Sequence, residues 1–168
     1  MSQERTYKEL MVGLEKLNQQ ILVMHEVIDK YVIVLLDLDP NTLESMTDTY
    51  HNESLIYSNL QKELIQLMKT IELDGQDSTI KAIVRKCKTL GFETIANSLE
   101  ELRLAAKENA ILMDQKHSKM INLLLFASSC NSDTLKDIYN LANKDYKAYD
   151  ATGQLDMNGV GIGLNHQV

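Results

Sequence analysis

Apolar residues recur over the first part of the chain at alternating steps of four and three: Leu10, Leu14, Leu17, Ile21, Met24, Ile28, Tyr31, Leu35 and Leu38. Steps that average three and a half residues place them all on one stripe of a helix. Asp39-Pro40 breaks the series, with Asp39 suited to cap a new helix and Pro40 to its first turn. A second series then runs Leu43, Met46, Tyr50, Glu53, Tyr57, Leu60, Leu64, Leu67 and Ile71, with Glu53 its one polar member. The segment "DGQDS" (74–78) predicts the end of that helix, and a short one, "TIKAIVRKCKTL", is predicted to close at Gly91. A third long series follows: Phe92, Ile95, Leu99, Leu102, Ala106, Asn109, Met113, Lys116, Met120, Leu123 and Ala127. Asn109 and Lys116 are its polar members. A last short helix is expected to start at a Ser132 or Asp133 cap and to carry Leu135, Ile138 and Leu141.

Three segments with seven-residue seams predict long helices packed at shallow angles, as in coiled coils and bundles. The short corner at Asp39-Pro40 makes the first two antiparallel neighbours. The expected fold is all-α: an elongated antiparallel helical bundle with a shorter C-terminal helix and a flexible tail. Residues 1–146 would form the bundle. Residues 147–168, "KAYDATGQLDMNGVGIGLNHQV", carry four glycines and little charge, and are expected to hold a turn and the tail.

Composition sharpens this picture. Apolar residues make up 44% of the 168 positions but aromatic ones only 5%, so Leu and Met carry the hydrophobicity, which favours helix over sheet. A formal net charge of −7 supplies no overall attraction to nucleic acid or anionic lipid. The longest apolar run, "YVIVLL", is far short of the ~20 residues that span a bilayer, and no stable membrane insertion is expected. "MSQERTYKEL" lacks the apolar core of a signal peptide, and Cys87 and Cys130 show no paired spacing. A cytoplasmic protein with free thiols is the expectation.

Candidate chemistry is sparse. Asp48-x-x-His51 and Asp114-x-x-His117 each put a carboxylate and an imidazole on one helical face, as in dimetal bundles. Those bundles use Glu, whose extra methylene reaches the axis, and both histidines lie one step off the seam among polar neighbours, so solvated side chains are the expectation. "GVGIG" (159–163) lacks the strand and helix N-terminus of a phosphate-binding loop. Cys87 has basic neighbours that could activate a thiol, but an ordinary helical cysteine is the expectation. Asn109 and Lys116 read as groups that align the helices or mark an exposed stretch of seam. The expectation is therefore no catalysis and no cofactor.

The last long helix, with "AAKENAILMDQKHSKMINLLL" and then "YDATG", resembles the flagellar export chaperone FlgN family. Members show an Asn-x-x-Asn-Gly element followed by an apolar pair, and a Tyr-Asp-x-x-Gly turn further on. Asn109 matches the second Asn, Ile111 and Leu112 the apolar pair, and Tyr149, Asp150 and Gly153 the turn. The chain departs from the pattern at Ala106 and Ala110. What the resemblance implies is a cytosolic, non-catalytic chaperone of type III secretion. Such chaperones hold hook-associated (hook–filament junction) proteins before export and help present them at the membrane export gate and its ATPase apparatus. The alternatives are a structural or adaptor coiled coil of unrelated role and a ferritin-like dimetal bundle. Substrate is expected on Met113, Met120, Leu123 and Leu124, extending over Leu135, Ile138 and Leu141, because methionines adapt to varied partners and the seam is polar at Asn109 and Lys116.

Overall fold

A computed structural model describes residues 3–37, 39–71 and 79–145, with side chains omitted at 40 and 141–145. The described residues form four helices: α1 (Gln3–Asp37), α2 (Pro40–Lys69), α3 (Ile80–Thr89) and α4 (Glu93–Asp145). No strand occurs among the described residues, and the fold is an all-α helical bundle. None of these helices is long and apolar enough to cross a membrane. The chain divides into two compact units, Met1–Leu123 and Leu124–Val168. The expected boundary at residue 147 lies outside the described residues.

The ends of the helices follow from local chemistry. The Asp39 carboxylate caps α2, accepting from the Thr42 backbone N–H and from the Thr42 hydroxyl, with Pro40 in the first turn. The Thr42 hydroxyl holds the Asp39 carboxyl below its usual pKa. Thr79 caps α3 by accepting from the Ala82 N–H at 3.2 Å. Gly91, at φ 81°, ends α3 in a left-handed conformation that a side chain would strain. The Phe92 N–H donates to the Cys87 carbonyl and the Gly91 N–H to that of Lys88, the paired pattern of a glycine-terminated helix.

Inside the first unit, α1 is the central element. Its seam residues Leu10, Leu14, Leu17, Ile21, Met24, Ile28, Tyr31 and Leu35 are all buried. The pairs Tyr31–Thr47 and Gln20–Glu53 show α1 and α2 running antiparallel. The pairs Asn18–Asn109 and Asp29–Lys116 show α4 running parallel to α1. α3 contributes Ile83, Val84 and Cys87 to the same core, near Tyr7, whose ring lies 5.9 Å from that of Phe92. Burying full Leu and Ile side chains is worth about 1.5–3 kcal/mol each before chain entropy is counted, so this seam contributes substantially to stability.

One expected break is missing. α4 runs without interruption from Glu93 to Asp145, through Ser132 and Asp133, so no separate C-terminal helix forms. The reason is that no proline or glycine lies between Phe92 and Asp145, and a serine or aspartate within a helix does not stop it alone. At Thr134 the hydroxyl donates back to the Cys130 carbonyl, which keeps it inside the helix.

Candidate partner-binding face

The polar residues inside the bundle are already paired with one another. Gln20, buried on α1, donates through Nε2 to the Glu53 carboxylate at 2.7 Å and to its backbone carbonyl at 3.3 Å. His25, also buried, donates from Nε2–H to the Asn109 carbonyl at 2.8 Å. The Asn109 amide donates to the Asn18 side chain at 2.9 Å, and Lys116 meets Asp29 at 2.5 Å. Tyr31 donates to Thr47, whose own hydroxyl donates to the Leu43 carbonyl. Among the described residues no buried side-chain nitrogen or oxygen lacks a partner. The polar interruptions Glu53, Asn109 and Lys116 thus join helices to one another.

Other chemical candidates are equally occupied or dispersed. Asp48, His51 and Asp114 are exposed, and the His117 ring stacks on Tyr50 with centroids 5.9 Å apart. Tyr50 in turn meets Tyr31 edge-on, so His117 belongs to an aromatic contact joining the three long helices. Among the described residues no group of three His, Cys, Asp or Glu side chains gathers where a metal could sit. Cys87 is fully buried, and burial pushes its thiol up to about 11, which removes the thiolate that a nucleophile needs. The basic neighbours of Cys87 in sequence do not offset that burial. A groove of about 500 Å³ runs between α1 and α2 over Val12, Leu60, Leu64 and Leu67, with Arg5, Lys8 and Lys16 at its rim. Arg5 and Lys8 are engaged in exposed i,i+4 ion pairs with Glu9 and Glu4, which contribute little.

The expected substrate face divides. Met113 and Met120 are 9% and 3% exposed, so both belong to the core and not to an open surface. They are buried because the α4 seam keeps its seven-residue phase through Met120, carrying both methionines toward α1 and α2. Leu123 and Leu124 are half-buried. Leu135 and Ile138 are 66% and 57% exposed. The Leu141 side chain, and Tyr149, Asp150 and Gly153, lie outside the described residues. Asn109 is half-buried and committed to Asn18 and His25.

Within the second unit, Leu124, Asn131, Leu135, Ile138 and Tyr139 fall on one face of α4, about 100° wide at the helical period. Ser128, Ser132 and Lys136 border a shallow depression there with Leu135 and Tyr139. Leu125 and Phe126, at 64% and 69% exposure, lie off that face and were not anticipated. Exposed leucine and isoleucine at helical spacing offer a partner apolar contact and no chemistry. Compared with protein-family models, with characterised protein sequences and with solved structures, the chain finds no match.

Proposed function

We propose that this chain is a non-catalytic, cytoplasmic export chaperone that holds an amphipathic segment of a flagellar hook-associated protein and presents it to the export gate. Two considerations support the reading. The sequence resembles the FlgN family at Asn109 and at the Tyr149-Asp150-x-x-Gly153 turn. The observation that carries it is the pair Leu135 and Ile138, more than half exposed on one face of a long helix. An amphipathic helix from an unassembled subunit covers such a face by laying its own apolar stripe along it. Adjacent Ser128, Asn131 and Ser132 supply hydrogen-bonding groups at the border.

The test is a double substitution, Leu135→Asp with Ile138→Asp, assayed with purified hook-associated proteins. Substitutions at exposed positions usually change stability by within about 0.5 kcal/mol, so helicity and melting should stay near wild type. Capture of the junction protein should be lost. Full capture with helicity retained would refute the placement of the binding face. A wild-type chain that captures no hook-associated protein would favour an adaptor role instead.

A further inference from the structure

We propose that the exposed stripe of α3 formed by Lys81, Arg85 and Lys88 is a docking site for an acidic segment of a partner protein. It requires neither the chaperone reading nor the α4 face. The charge of α3 sets it apart from the other helices. It carries Lys81, Arg85, Lys86 and Lys88 and no acid, whereas α1, α2 and α4 each carry more acids than bases. The chain as a whole is at −7, so the four positive charges of α3 leave −11 for the rest. At the helical period Lys81, Arg85 and Lys88 fall within about 60° of one another. All three are exposed, while Ile83, Val84 and Cys87 face the core. Like charges three and four residues apart on a helix repel, so the stripe works against its own helix. The helix dipole accounts for Lys86 and Lys88 in the last turn, but it disfavours Lys81 in the first. Nor do neighbouring elements offset the stripe. Among the described residues none of its three cations forms a salt bridge, although cations of α1 and α4 do. Glu100 of α4 lies close enough to feel Lys88 and Lys81. Both its oxygens are already held by Arg103, at 2.6 and 2.8 Å, which chiefly keeps its carboxyl below the usual range.

The surroundings of the stripe select its occupant. Its charges span about 10 Å of helix, close to the ~8 Å screening length at physiological salt. A short acidic segment feels the stripe alone, whereas a membrane surface or a nucleic acid extends past it to the −11 carried elsewhere. A lipid surface also needs an apolar helix face to insert, and that of α3 is turned into the core. α3 contains no aromatic residue on which a base could stack. Carboxylates at i, i+4 and i+7 of a partner helix repeat the spacing of the three cations, so three ion pairs form together and the repulsion within α3 is relieved.

The full-length protein is titrated with a fluorescein-labelled helical peptide carrying glutamates at i, i+4 and i+7, and with its glutamine counterpart. Fluorescence anisotropy at low salt should show the glutamate peptide bound about tenfold more tightly than the glutamine one. Raising the salt to physiological strength should weaken it roughly threefold. The variant Lys81→Ala/Arg85→Ala/Lys88→Ala should lose about tenfold of that affinity. A control variant, Lys30→Ala/Lys62→Ala/Lys119→Ala, removes the same charge from exposed positions on the other helices and should bind within about twofold of wild type. Arg85→Gln alone, at the middle of the stripe, should lose about threefold, which keeps the test decisive if the triple change disturbs folding. Equal losses in the two triple variants, or equal affinity for the two peptides, overturn the proposal. So does tighter binding of phosphatidylglycerol vesicles or of a short single-stranded DNA than of the glutamate peptide, since the stripe would then serve an anionic surface or a nucleic acid. None of these outcomes bears on capture at the α4 face.

Discussion

Replacing Gly13 by alanine asks whether the packing of α1 against Leu64 of α2 is rigid. Gly13 lies within α1, where a glycine costs about 0.8–1.0 kcal/mol relative to alanine through backbone freedom lost on folding. A Cβ added there would meet the Leu64 Cδ1 at 3.2 Å, a few tenths of an ångström inside ordinary contact. Leu64 is buried, but it lines the groove between the helices, so its methyl has open space to move into. With carbon–carbon contacts worth about 0.1–0.2 kcal/mol each, a shift of that size costs a few tenths of a kcal/mol. The two effects oppose, and the helix propensity wins. Gly13→Ala should stabilise the chain by about 0.5 kcal/mol, raising Tm by about 1–2 °C for a protein of this size. Gly13→Val adds two more methyl groups at the crossing and should destabilise it by about 1–3 kcal/mol. Urea denaturation followed by far-UV circular dichroism measures both. If Gly13→Ala lowers stability by more than about 1 kcal/mol, Leu64 cannot yield and the helix crossing is rigid.

Two further outcomes are expected. Leu10 is fully buried in the α1 seam, so Leu10→Ala should cost about 2–5 kcal/mol, seen as a marked drop in the urea midpoint; a loss under 1 kcal/mol would mean the seam is poorly packed. For Cys87, burial raises the folded-state thiol to about 11 from an ordinary 9.0, so the folded protein keeps a proton that the unfolded chain releases. Stability should therefore fall as pH rises from about 9 to 11, and replacement of Cys87 by alanine should flatten that slope in melts at stepped pH.

The seams were legible in the sequence because one stripe of leucines has only one use in a helix. The eight α1 seam residues described all face the core, and the Asp39 cap and the Gly91 stop behave as their chemistry requires. What could not be read was which seam faces how many neighbours. α1 contacts both α2 and α4, and a stripe that serves two helices must be wider than the seven-residue pattern shows. Gln20 and His25, each one step off the seam, are buried for that reason and were overlooked. The same reasoning misplaced Met113 and Met120. Adaptable side chains look alike in a core and on a binding surface, and only the third helix distinguishes the two. Ser132 and Asp133 misled because cap residues mark a helix start only where the chain is already free to turn.

The tight corner at Asp39-Pro40 has a consequence for how the chain acquires its structure. Contacts across it are local: Tyr31 meets Thr47 sixteen residues on, and Gln20 meets Glu53 at a separation of 33. The contacts that seat α4 against α1 span 84 to 91 residues. Local contacts close with little loss of chain entropy, so the α1–α2 hairpin is expected to form early and the docking of α4 to limit the overall folding rate. During synthesis the hairpin is complete some forty residues before Asn109 and Lys116 have been made. For that interval the side of α1 destined for α4 is open to solvent, with His25 and Asn18 unpaired. The nascent hairpin is thus briefly an apolar surface without its cover, and needs protection from other chains until its own fourth helix arrives.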